Sequence, residues 1–245
     1  MHTELNQAED KTNPNITIPD YINPSNNIEV FGYFINEYIK KHNSIFSSYF
    51  HGLNHLISTC NRCQTQTHSY NLFSFIIFPL LEVRKMVTSE GNYPKNFRNY
   101  FGLSLEDCFL YAQKKGFYKG DKKCNKCQFE SDYWLEKKII KLSNILILIF
   151  DRGNLENYER FTFNEIIDLK NYVEFPQGDN KYFLSGVIHV LGVHLIAYCR
   201  MSSTSKWYCY NDSLVKESSF EEIKLGSPNI LFYQKCVINS KEIFI

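Results

Sequence analysis

The chain has 245 residues, of which 44% are hydrophobic and 16% aromatic, enough for one large domain with a real core. A formal net charge of +1 excludes the broad basic surface that nucleic acid or anionic lipid would require. The pairs Lys114-Lys115 and Lys137-Lys138 are short and read as solvated faces.

The longest apolar runs, Phe73–Leu81 and Ile145–Phe150, fall well short of the roughly 20 residues of a membrane-spanning helix. Residues 1–25 are polar, carry Pro14, Pro19 and Pro24, and lack the apolar centre of a signal peptide. They are expected to be a disordered or loosely attached lead-in. These features point to the cytosol or nucleus, where thiols stay reduced, which matters for the eight cysteines.

Asn26 and Glu29 suggest a capping box, and Val30, Phe31, Phe34, Ile35 and Tyr38 recur at helical spacing as far as Lys41. A short extended stretch, Leu56–Thr59, runs into Cys60, and β-like runs follow around Leu72–Val83. Ser104 and Asp107 cap a second helix with Leu105, Cys108, Phe109 and Ala112 as its core stripe and Gly116 as its stop. From Ile139 onward the pattern is of strands. Ile145–Phe150 reads as a central strand buried on both faces, followed by Tyr182–Val190, His194–Arg200, Lys206–Tyr210 and Asn229–Tyr233. The class is α+β, with helices early and a mostly antiparallel sheet late.

Cys60-Asn61-Arg62-Cys63 and Cys124-Asn125-Lys126-Cys127 are matched C-x-x-C turns. Each places two thiolates on one side of a tight loop, so the two turns complete a tetrahedral Cys₄ site for one zinc ion. No position is left open for water, so the role is structural. Arg62 and Lys126 offset the charge of four thiolates.

His194 opens one strand of a hairpin, Met201–Ser205 forms its turn, and the return strand ends at Asn211-Asp212. Counting outward from the turn places His194 against Asn211 or Asp212. An oxygen accepting from one imidazole nitrogen leaves the other free as a base. Geometry alone favours a satisfied structural His–Asp pair.

The motif order from Asn26 to Tyr233 resembles the ubiquitin-specific protease family. Asn26–Ile35 resembles its "DAQEF" helix, and Phe50-His51-Gly52-Leu53 through Cys63 resembles the entry to its first knuckle. Ser104–Asp107 resembles the helix between its knuckles. Leu142–Ile147 resembles "LPxxLxI", and Tyr182–Ile188 resembles "YxLxGVI". The His194 hairpin resembles "GHYxAYxR…WYxFNDxxV", and Asn229–Tyr233 the closing "YxLFY".

The resemblance implies a papain-like cysteine peptidase domain over 26–240. Its fingers would carry the zinc near 56–66 and 120–130, its palm sheet would span 139–238, and its thumb would be largely missing. It implies His194 as general base, Asn211 as its orienting partner, Asp212 supporting the oxyanion side, and ubiquitin or ubiquitinated proteins as partners. The "GNTCYMNS"-like cysteine box has no counterpart in this sequence. Cys108 lies on a core stripe, Cys199, Cys209 and Cys236 lie in or beside strands, and His189 ends a strand where it makes a poor base. The expected function is therefore deubiquitinase lineage without turnover by this chain alone, with a further protein covering the bare palm face. The alternative is a zinc-stabilised pseudoenzyme that binds ubiquitin or another partner without cleaving it.

Overall fold

The computed structural model describes residues 6–8, 15–89, 102–119, 123–153, 161–176 and 180–236. Residues 1–5, 9–14, 90–101, 120–122, 154–160, 177–179 and 237–240 of the expected ranges lie outside the described residues.

Helix α1 (Asn27–Lys41) begins where Asn26, in extended conformation, accepts from the Glu29 N–H; Val30, Phe34 and Tyr38 are its buried face. Helix α2 (Ile45–Phe50) has a Ser44–Ser47 capping box. Next come β1 (Gly52–Cys60), β2 (Gln66–Phe73), β3 (Ile76–Pro79), α3 (Leu80–Ser89) and β4 (Leu103–Ser104). Then follow α4 (Leu105–Ala112), β5 (Gly116–Tyr118), β6 (Tyr133–Lys141), β7 (Ile145–Asp151), β8 (Phe161–Thr162) and β9 (Ile166–Asp168). The chain continues with β10 (Lys181–Leu191), β11 (His194–Arg200), β12 (Trp207–Asn211), β13 (Leu214–Ser218), α5 (Phe220–Lys224) and β14 (Pro228–Lys235).

Two large sheets organise most of these elements, and β4 pairs with β8 in parallel as a separate two-stranded ribbon. The smaller runs β2-β1-β6-β5 and is antiparallel. The larger runs β13-β12-β11-β10-β14-β7-β3, with β9 beside β10, and only β3 lies parallel to its neighbour. The main core packs Leu146, Leu148, Tyr182, Leu184, Leu231 and Tyr233 of the larger sheet against α3, α4 and α5. A second core seats α1 on Leu53 and Tyr70 of the smaller sheet.

Four expectations need correction. Leu80–Ser89 is a helix rather than β-like, and Pro79 immediately precedes it, as suits a helix start. Gly116 does not stop α4, which ends at Ala112 with Gln113 as its cap. Gly116 instead opens β5, where a Cβ would come within 2.9 Å of the Tyr118 ring. Strand β7 is buried on one face only; Ile145, Ile147 and Ile149 stay half-exposed on the other. The lead-in is anchored at several points, although Asn15, Thr17, Asp20, Tyr21, Asn23 and Ser25 stay exposed. Buried Asn6 donates to the Lys41 carbonyl at 2.6 Å, Ile22 joins the α1 core, and the His68 N–H donates to the Pro24 carbonyl at 2.8 Å.

Candidate metal centre and His194 hairpin

The turn after β1 and the turn before β6 bring Cys60, Cys63, Cys124 and Cys127 together with all four sulfurs within 4.8 Å of one another. Cys63 and Cys124 Sγ atoms stand 3.6 Å apart. Thiolates about 2.3 Å from one tetrahedral ion lie about 3.8 Å from each other, so the donor set fits a single metal ion. The two turns repeat one local design. Gln64 and Gln128 follow the second cysteine of each pair with φ of 57° and 61°. Their N–H groups donate to the Cys60 and Cys124 carbonyls, and their side-chain amides donate to the Asn61 and Asn125 carbonyls at 2.8 and 2.6 Å. The sequence carries this as a repeated Cys-Asn-x-Cys-Gln, in which the glutamines are the signal that the cysteine spacing and the intervening basic residues do not supply. The Thr65 hydroxyl and backbone N–H hold the Cys63 thiol down at about 6, favouring the thiolate that binds metal. The Arg62 guanidinium lies 3.6 Å above the Phe129 ring, tying one turn to the other.

At the larger sheet, β10 and β11 join through a two-residue turn, Gly192-Val193, closed by the Leu191–His194 pair. Gly192 takes φ of 63°, where the absence of a Cβ is an advantage. Strands β11 and β12 pair from Ala197–Tyr210 to Arg200–Trp207. The Met201 N–H donates to the Lys206 carbonyl, so Lys206 belongs to the loop and the strand starts one residue later than expected. Extended by one residue, this register faces Asn211 with Ile196, and Asn211 lies diagonal to His194 on the same face. The shift selects between the two candidates: His194 Nε2 and Asn211 Oδ1 are 2.6 Å apart. A carboxamide oxygen only accepts, so Nε2 carries the proton and the lone pair falls on Nδ1. Asp212, next after Asn211, is exposed in the β12–β13 turn with φ of 51°.

Beneath the hairpin lies a brace that the sequence reading did not foresee. His189 is buried, and burial, with the nearby Arg152 charge, pushes its pKa down to about 4, so it is a neutral core residue rather than a base. Its ring packs 5.1 Å from Tyr198, and a Cβ at Gly226 would come within 2.2 Å of it. Arg152 is buried and donates to the Pro228 carbonyl at 2.7 Å, while its Nε and Nη1 have no partner among the described residues. The Val190 N–H donates to Asn229 Oδ1 at 2.9 Å. Little in the sequence marked Arg152 beyond its place just after a buried strand.

With this geometry in view, the comparisons are decisive about family. The model of the ubiquitin carboxyl-terminal hydrolase family matches residues 1–233. The chain belongs to that family. Ubiquitin carboxyl-terminal hydrolase 2 of Rattus norvegicus is 21% identical over 96% of this chain and 37% of its own length. Its Homo sapiens counterpart is 26% identical over 56% of this chain and 25% of its own. Among solved structures, the yeast SAGA DUB module has a TM-score of 0.64 at 22% identity, covering 86% of this chain and 49% of that one. A SAGA DUB module containing Ubp8 and bound to ubiquitin aldehyde scores 0.62 at 22% identity, covering 86% and 48%. The chain thus spans less than half the length of these relatives. As a ubiquitin carboxyl-terminal hydrolase homologue it shares the α+β fold of such modules, and its four-cysteine cluster sits at the tip of the smaller sheet. Among the described residues no helix is long and apolar enough to cross a membrane.

Proposed function

We propose that this chain supplies the base half of a thiol-dependent deubiquitinase site and does not turn over ubiquitin conjugates alone. The observation that carries this reading is the His194–Asn211 hydrogen bond, which leaves Nδ1 free to serve a thiolate. In the full reaction a thiolate attacks the carbonyl carbon of ubiquitin's terminal glycine. The His194 imidazolium then gives its proton to the departing lysine amine, and water releases the acyl-enzyme. Asn211 holds the ring in the productive tautomer, and Asp212 assists on the oxyanion side.

No cysteine of the chain suits the nucleophile's place. Four form the metal cluster, for which the proposed ion is one structural zinc. Cys108 is fully buried, and burial raises its pKa far above the thiol range. Cys209 is buried, Cys199 lies on the sheet face opposite His194, and Cys236 follows the far end of β14. Removing the nucleophile from a comparable triad costs on the order of 10⁶ in kcat.

Ubiquitin is the proposed partner, and a second protein element covers the half-exposed face of Ile145, Ile147 and Ile149. The alternative, a zinc-stabilised binding module without any catalytic past in use, is favoured by the two-residue turn before His194, which carries fully exposed Val193. The test is a ubiquitin-amide reporter assay with the zinc-loaded chain. No release above background is expected, while calorimetry detects ubiquitin binding. Turnover abolished by His194→Ala would overturn the incompleteness of the site. Absence of ubiquitin binding would overturn the partner.

A further inference from the structure

A cavity of about 550 Å³ lies where the two sheets meet, between α3, the stretch after α4, β3 and β6. It falls within the range of about 300–1,000 Å³ typical of ligand sites. Its apolar surface is supplied by Ile76, Phe78, Met86 and Leu135, and Tyr111 and Tyr118 also line it. Four lysines line it as well: Lys85, Lys114, Lys115 and Lys137. Among the described residues the one acidic side chain in the lining, Glu82, is already paired with Lys85 at 2.7 Å.

Lys137 is the informative member. The sequence suggested a solvated lysine, yet it sits half-buried on β6, opposite Leu56. Among the described residues it makes no hydrogen bond or ion pair, whereas its neighbour Lys138 pairs with Glu174 at 3.1 Å. Burial lowers the Lys137 pKa, as expected of an ammonium that has lost water without gaining an anion. A desolvated cation facing a cavity needs an acceptor.

The arrangement discriminates between kinds of anion. Phosphate sites favour helix N-termini and arginine forks. Among the described residues no arginine lines this cavity, and the N-terminus of nearby α4 is taken up by its own Ser104–Asp107 box. The cations instead come from three separate elements around an apolar floor, which suits carboxylates spaced along a chain with apolar side chains between them. We propose that this cavity binds an acidic, partly apolar peptide segment of a partner protein, with Lys137 as the anchoring cation. The site lies four strands from β11 across the larger sheet, about 20 Å from the His194 hairpin at ordinary strand spacing. It is therefore an exosite, independent of the chemistry proposed at His194.

The test uses the full zinc-loaded chain and a labelled peptide alternating Glu with Leu, followed by fluorescence anisotropy. Saturable binding that weakens with rising salt is expected, with Lys137→Met lowering affinity about tenfold or more. The surface variant Lys114→Glu/Lys115→Glu, which leaves the floor intact, should also weaken binding, while His194→Ala should not change it. Equal affinity for a peptide alternating Gln with Leu would overturn the proposal. So would binding unchanged in both lysine variants, or complete displacement by millimolar inorganic phosphate, which would mark a phosphate site instead.

Discussion

The metal tip and the His194 hairpin are both β-turn devices, but they differ in what each needs from outside the chain. At the tip, two copies of one five-residue design supply every donor, and each turn satisfies its own backbone through Gln64 or Gln128. At the hairpin, one imidazole and one carboxamide satisfy each other and leave one nitrogen over. The tip closes on itself, whereas on the proposed reading the hairpin is one side of an interaction. The tip is also held by local sequence, whereas the hairpin rests on a buried brace drawn from β7, β10 and the start of β14.

The comparison is sharpened most by removing a metal ligand. Cys124→Ser should abolish stoichiometric zinc, measured by elemental analysis. It should also lower Tm by more than about 10 °C, because metal binding in small zinc folds is worth about 10–16 kcal/mol and the β1–β6 ladder retains part of the sheet without it. Hydrogen exchange should rise across β1, β2 and β6, while the His194 Nε2–H resonance persists. Loss of that resonance together with the metal would show that the two regions are not independent.

A smaller effect tests the brace. His189 has a pKa of about 4 in the folded chain against 6.5 in the unfolded one. Between these values the unfolded state binds the extra proton, so stability is untouched above pH 6.5 and falls progressively as pH drops toward 4. The full loss is about 3 kcal/mol at about 1.4 kcal/mol per unit. Urea unfolding at pH 7 and pH 4.5 should show a steeper decline for the wild type than for His189→Phe. Equal declines would mean that the hairpin is not seated on a neutral histidine.

How far the sequence revealed each region follows from the same contrast. The cysteine spacing exposed the tip, because its chemistry is written in neighbouring residues. Capping residues likewise placed α1 and α4. The choice of Asn211 over Asp212 was hidden because it depends on one residue of loop length at Lys206, and side-chain alternation turns one residue into a change of face. Strand β6 was read only from Ile139 onward because Glu136, Lys137 and Lys138 blur its alternation in a strand half-buried on both faces. Helix α3 was taken for strand because its apolar start continues the run through β3 without a polar cap.

The finest test asks whether the two turns of the tip cooperate beyond sharing an ion. Arg62 lies over Phe129, so each turn contributes one half of a cation–π contact. Such contacts are worth about 0.5–1 kcal/mol at exposed sites. Arg62→Ala and Phe129→Leu should each leave zinc stoichiometry intact and lower stability by about that amount, and the double variant should lose less than the sum. The charge of Arg62 also offsets the thiolates, so Arg62→Ala should weaken zinc competition against a chelator, whereas Phe129→Leu should not. If the two losses add fully, the turns meet only through the metal, and the self-sufficiency of the tip resides in its cysteines and glutamines alone.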